Sequence, residues 1–191
     1  GTTAINGGAV TTSGLQSYGG PVTLGFAGST TFDSGSGGVT FASNLTGNGN
    51  NLNLGAGSGA LAVTGALTNV NNLSVTSATN SSIINSGNAI TGSVKYNTTG
   101  NVDHLEASTV NLVASNVGGQ LLATANTGDV VQDGLVIAGN GAIYTANNGN
   151  IKIGNGVAGT LTATTPGAAI RLNAGDNITV AGNSGVVTNN G

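Results

Sequence analysis

Ten side chains outside tyrosine carry ionisable chemistry in this 191-residue chain: Asp33, Lys95, Asp103, His104, Glu106, Asp129, Asp133, Lys152, Arg171 and Asp176. Only Asp103-His104-Leu105-Glu106 forms a cluster. An imidazole between two carboxylates suits metal ligation or acid–base work. The competing reading is a solvated turn with Asp103 and Glu106 in water, and the composition around the cluster favours it. A two-carboxylate glycosidase would need Asp103 or Glu106 brought opposite Asp129 or Asp133. Their separations along the chain match one turn of a coiled backbone. Carbohydrate-active sites also present basic residues and aromatic platforms, and here only Tyr144 and two widely spaced Lys are available. No catalytic residue, no metal ligand and no cofactor site is therefore expected.

Weaker patterns point to other ligands. Gly47 to Leu54 has the rhythm of a calcium-binding nonapeptide, but Asn stands where that motif needs Asp as hard anionic ligand. Adjacent threonines at Thr2-Thr3, Thr11-Thr12, Thr30-Thr31, Thr98-Thr99 and Thr164-Thr165 are scattered, unlike the flat ladders that bind ice. Asn-x-Ser/Thr acceptors for glycosylation fall at Asn44, Asn72, Asn80, Asn97 and Asn177. Tyr18, Tyr96 and Tyr144 read as residues that cover a turn or cap the end of a core.

The elements that carry these residues are set by an unusual composition. Gly contributes 35 residues, charged residues are 5%, and Cys, Met and Trp are absent. A net charge of −3 with three basic residues excludes nucleic acid as a partner, because binding it requires Lys and Arg to replace counterions. Disulfides and zinc–thiolate sites are excluded with cysteine. No run of about 18 apolar residues exists to make a membrane-spanning helix. Disorder is disfavoured because hydrophobic content is 38% and charge is nearly lacking. Helix is disfavoured because Gly, Asn and Thr interrupt every window.

What remains is short alternating triplets separated by turn residues. They include Val22-Thr23-Leu24, Val39-Thr40-Phe41, Leu52-Asn53-Leu54, Leu61-Ala62-Val63, Leu73-Ser74-Val75, Val110-Asn111-Leu112, Ile151-Lys152-Ile153 and Ile178-Thr179-Val180. Period-2 alternation over three to five residues predicts half-buried strands. Asn71-Asn72-Leu73 echoes Asn50-Asn51-Leu52, Asn177-Ile178 echoes Asn150-Ile151, and Asn51-Leu52 is also matched by Asn150-Ile151. Repeats at such periods mean a solenoid. The expected fold is all-β: a parallel β-helix with short strands, Gly/Asn corners and roughly 7–10 coils stacked about 4.8 Å apart. Asn at the corners is expected to form amide ladders between coils. A β-sandwich is the alternative, disfavoured by strand length and by Phe26, Phe32 and Phe41 crowding one end.

The run from Gly8 to Gly25, with Ser29-Thr30-Thr31-Phe32, Gly38-Val39-Thr40-Phe41 and Asn50-Asn51-Leu52-Asn53-Leu54-Gly55, resembles the repeats of filamentous-haemagglutinin-type exoproteins. Gly149-Asn150-Ile151-Lys152-Ile153 and Ala174 to Gly182 are similar to later coils of the same proteins. The resemblance implies a right-handed β-helix and secretion through an outer-membrane transporter by a two-partner or autotransporter route. It also implies a place in the shaft of a fibrous adhesin, facing host or neighbouring cells. Residues 1–191 then read as one continuous segment, expected to be an interior piece of a longer repetitive chain. A unit that stacks end to end on its own copies is the second reading.

Overall fold

A computed structural model describes residues 1–76 and 79–189. Among them there are strands and turns and no helix. All strand pairing is parallel, and it winds the chain into a β-solenoid of about nine coils. Each full coil contributes three strands, so three ladders run along the rod. One passes through Val22, Leu45 and Leu67, while the row Val110, Val130, Ile151 and Ile178 belongs to strands that join the second ladder where Leu112 pairs with Val94. The second passes through Phe32, Leu54 and Val75 to Tyr96. The third is an eight-stranded sheet from Gln16–Tyr18 to Ile170–Ala174.

Register shows how coil length varies. Thr3 pairs with Val22 and Ala142 with Ile170, so the second of these coils is clearly the longer. Extra residues are housed in corners, so the strands keep their ladders. The echoes follow this register in two cases of three. Leu52 pairs with Leu73, and Ile151 pairs with Ile178. Asn51-Leu52 and Asn150-Ile151 lie on one ladder but two residues out of step, since Leu52 shares its column with Ile153 through Leu73, Val94, Leu112 and Gln132.

Strand alternation sends every second side chain into the lumen. Leu24, Leu45, Leu52, Leu54, Val63, Val75, Val102, Val130 and Ile151 are fully buried there. Near the first coils the lumen holds an aromatic plug. Tyr18 stacks on Phe41 with centroids 4.8 Å apart, and Phe32 meets both rings edge to face. Phe26 instead lies outside, over Gly8.

Corners require special backbone. Asn48 and Asn69 each hold φ at 52°, a left-handed conformation that Asn tolerates best among residues with a side chain. At Gly57, φ is 57° and a Cβ would lie 1.4 Å from the Gly35 carbonyl oxygen of the coil below. Only glycine lets the two backbones meet there. Corner amides also tie coil to coil. Asn80 Oδ1 accepts from the Asn101 N–H at 2.9 Å, and Asn101 Oδ1 accepts from Gln120 N–H at 2.9 Å. Asn71 and Asn72 both donate to Asn51 Oδ1, at 3.0 and 2.9 Å. The expected amide ladders are present.

Ile153→Asp would bury a charge with no partner in this lumen. The expected loss is at least about 3 kcal/mol, read as the drop in the urea midpoint, with Lys152→Asn outside the lumen as the mild control.

Candidate functional site

The one cluster singled out from the sequence lies on the strand Val102–Glu106, not in a turn. Alternation decides its fate. Val102, His104 and Glu106 face the lumen, while Asp103 is exposed and Leu105 half-buried. The expectation that Glu106 points to water is therefore corrected. Its neighbours in register, Ile83 and Ala123 on either side of His104, are inward residues, and the pleat carries His104 and Glu106 with them.

Tyr96 reaches the same point from the preceding strand, Val94–Thr98. Its hydroxyl sits 2.6 Å from His104 Nδ1, and His104 Nε2 sits 3.0 Å from Glu106 Oε1. The second carboxylate oxygen, Oε2, accepts the Ile90 N–H at 3.2 Å. With a neutral imidazole, one assignment satisfies every atom: Nε2–H donates to Glu106 and Nδ1 accepts from Tyr96. Burial raises the Tyr96 phenol well above its usual value, and the negative charges of Glu106 and Asp103 raise it further. Tyr96 accordingly keeps its proton and serves as donor.

Two further tyrosine pegs follow the same plan. Tyr144 donates to Gln132 Oε1 at 2.8 Å, while Gln132 Nε2 donates to the Gly134 carbonyl at 3.1 Å. Burial pushes the Tyr144 phenol up as well. Tyr18 donates to Gln16 Oε1 at 3.1 Å, and Gln16 Nε2 bonds the Val10 and Asp33 carbonyls. Tyr96 and Tyr144 are fully buried within the rod, which corrects the expectation that they cover turns or cap an end. The sequence signal was available: a polar residue two positions from an inward Val or Ile shares its face. Thr30 Oγ1 and Ser81 Oγ are the buried side-chain atoms without a hydrogen-bond partner among the described residues.

These pegs have the residue types of a catalytic relay but no access. Tyr96, His104 and Glu106 are each 0% exposed, so no substrate atom reaches them. The other acids do not converge on them. Asp129 lies at the corner before Val130, bonded to Lys152 Nζ and to Asn150. Asp133 takes the N–H groups of Gly156 and Val157 at 2.8 and 3.2 Å. Among the described residues no group of three or more His, Cys, Asp or Glu is placed to hold a metal. The Gly47–Leu54 amides are spent on neighbouring coils, with Asn48 Nδ2 donating to the Leu24 carbonyl and Asn50 Oδ1 accepting from Gly28. Threonines stack in register at Thr23, Thr46 and Thr68 on one face and at Thr124 and Thr145 on another, and neither row is made of the adjacent pairs of the sequence.

The five glycosylation acceptors fall on the outside in different states. Asn44, Asn80 and Asn177 are exposed corner residues and Asn72 is half-buried. Asn44, Asn72 and Asn80 each hold a backbone N–H of the next coil through Oδ1, and Asn177 donates to Asn150. Asn97 is exposed on the outer face of its strand. Depressions on the outer faces, one beside Thr31, Asp33 and Asn53 and one beside Lys95, Asn97 and Leu135, hold a single charged side chain each. No helix among the described residues is long and apolar enough to cross a membrane.

No family model matches the chain, and neither a curated protein nor a solved structure matches it.

Two outcomes test these assignments. His104→Ala leaves Tyr96 and Glu106 unpaired in the lumen and should cost about 2–4 kcal/mol in urea unfolding. Replacing all three together by Phe, Leu and Leu should restore most of that loss. Asp129 is held down to about 2 by its hydrogen bond from Lys152, then by its bonds from Asn150. Because the folded value lies below the unfolded one, its contribution is full above about pH 4 and disappears as pH falls through about 2. Asp129→Asn should therefore narrow the gap to wild type in melting temperature as pH drops from 5 to 2.

Proposed function

We propose that this chain is a shaft segment of a secreted, cell-surface fibrous adhesin, and that its work is mechanical. The observation that carries the reading is one lumen core running through successive coils, closed by tyrosine pegs and by hydrogen-bonded corners. His104 and Glu106 are consumed inside that core, and Asp129 and Asp133 in corner bonds. Such a rod serves as a spacer, since each coil contacts only its neighbours and length scales with repeat number. The resemblance of Gly8 to Gly25 and of Ala174 to Gly182 to filamentous-haemagglutinin-type repeats supports the same reading. It brings with it export through an outer-membrane transporter and attachment to host or neighbouring cells.

A second reading is a filament of copies stacked end to end. Ile178, Val180, Val186 and Val187 in the last coils are 40–49% exposed. The strands Ile178–Val180 and Gly185–Thr188 are paired on one side only. Another coil, from the same chain or another copy, would cover both.

An antibody raised against the folded segment provides the test. Labelling of intact cells, a denatured mass on the order of hundreds of kilodaltons and loss of attachment on deletion are the expected results. Labelling only after lysis, or attachment unchanged by deletion, would overturn the adhesin reading. A polymer that dissociates in denaturant to chains no longer than this one would select the filament.

A further inference from the structure

The third ladder carries an outward row that changes character along the rod. In register it reads Ser17, Thr40, Ala62, Ser82, Asp103, Leu122, Ile143, Arg171. Small and polar residues occupy its first half. The second half has an acid, two large aliphatic residues and a base. Asp103 and Arg171 are exposed, and neither is in an ion pair among the described residues. Both charges therefore stand free at the two ends of an apolar pair. The four strands concerned, Val102–Glu106, Leu121–Ala125, Ala142–Ala146 and Ile170–Ala174, are five residues each; Leu122 and Ile143 are half-buried on this face, and a shallow depression lies beside Asp103 and Leu122.

We propose that this face docks side by side on the same face of a second copy, with the two rods antiparallel. A two-fold axis midway between Leu122 and Ile143 opposes Leu122 to Ile143 of the second copy. The same axis sets Asp103 against Arg171 at both ends. One row is thus its own complement in charge and in apolarity, the condition for an isologous contact. The adjacent outward row reads Leu105, Thr124, Thr145, Asn173. The same axis sets Thr124 against Thr145, and neither row opposes like charges. With the rods parallel, the same face would bring Asp103 near Asp103 and Arg171 near Arg171. Charge therefore selects the antiparallel pair, because like charges facing each other are penalised.

Area sets the strength. Four strands about 4.8 Å apart and about 17 Å long give roughly 300 Å² per copy. A standard stable interface uses about 800 Å² per partner. The contact is accordingly weak for one segment, with dissociation in the range of about 0.1 mM at low salt, and multivalent when many such rows lie along one fibre. It is independent of the adhesin reading, since any rod bearing this face would pair in the same way.

Sedimentation of the folded segment at up to about 1 mM and low salt reads the association directly. Wild type should form dimers that weaken at least tenfold as salt rises to about 0.3 M. Asp103→Arg and Arg171→Asp should each abolish dimers, and the double variant should return association to within about threefold of wild type. Both substitutions are on the surface, and circular dichroism checks that the rod is intact. Orientation is read separately with a spin label on Ser17→Cys, the only thiol in a chain without cysteine. Antiparallel rods place the two labels about 50 Å apart, eleven strand spacings along the axis. A monomeric wild type, single reversals without effect, a double variant that stays monomeric, or labels within about 20 Å would each overturn the proposal.

Discussion

Parallel backbone pairing between successive coils is the constraint from which the rest of the structure follows. Each strand bonds the coil below and the coil above, at one fixed spacing. A residue is therefore judged by what stands above and below it in register. Inside the lumen, that stacking requires side chains that fit over one another: Val22 over Leu45 over Leu67, or Val110 over Val130 over Ile151. At the corners it brings backbones so close that glycine is needed, as where Gly57 lies over Gly35. On the outside it would set like charges one strand spacing apart wherever a charged position recurred from coil to coil, which disfavours charge in such rows.

The few polar groups that enter the lumen are largely paired. Tyr96, His104 and Glu106 close a chain of hydrogen bonds that ends on the Ile90 N–H. Tyr144 with Gln132 and Tyr18 with Gln16 are shorter versions. The sets built on Tyr96 and Tyr144 span two sides of a coil, so they fasten strands that backbone pairing, which acts only between coils, leaves unconnected. The residue types usually taken as chemistry serve here as cross-braces. Corner asparagines do the complementary work between coils, where Asn80, Asn101 and Gln120 form a chain parallel to the axis.

A rod organised in this way offers function through length and surface rather than through a cleft. Its third face shows how a surface can still carry information. Asp103, Leu122, Ile143 and Arg171 come from four successive coils, far apart in the chain, yet stand in one row. The winding converts four unrelated positions into a pattern of charge and apolarity. That pattern follows from the register of the strands, since one residue more in a strand would turn its row inward.

The sequence by itself determined the fold class. Triplets such as Val39-Thr40-Phe41 and Ile151-Lys152-Ile153 announce strands because pleated backbone has a period of two, a purely local property. Gly and Asn announce corners because left-handed backbone excludes most other residues. The repeat interval announced the winding, and the Asn-rich corners announced the amide ladders. What the tertiary structure decided was phase and neighbourhood. Asp103-His104-Leu105-Glu106 read as a solvated turn because its polarity was taken as exposure. Register with Ile83 and Ala123 turned His104 and Glu106 inward, and Tyr96, from the strand before, supplied the partner. Leu122 and Ile143 went outward for the same reason, although hydrophobicity alone would have buried them. A side chain's face depends on which strand lies above it, and that is fixed by the lengths of corners elsewhere in the coil. Local sequence writes the strands, and only the closed stack of coils assigns their inside and outside.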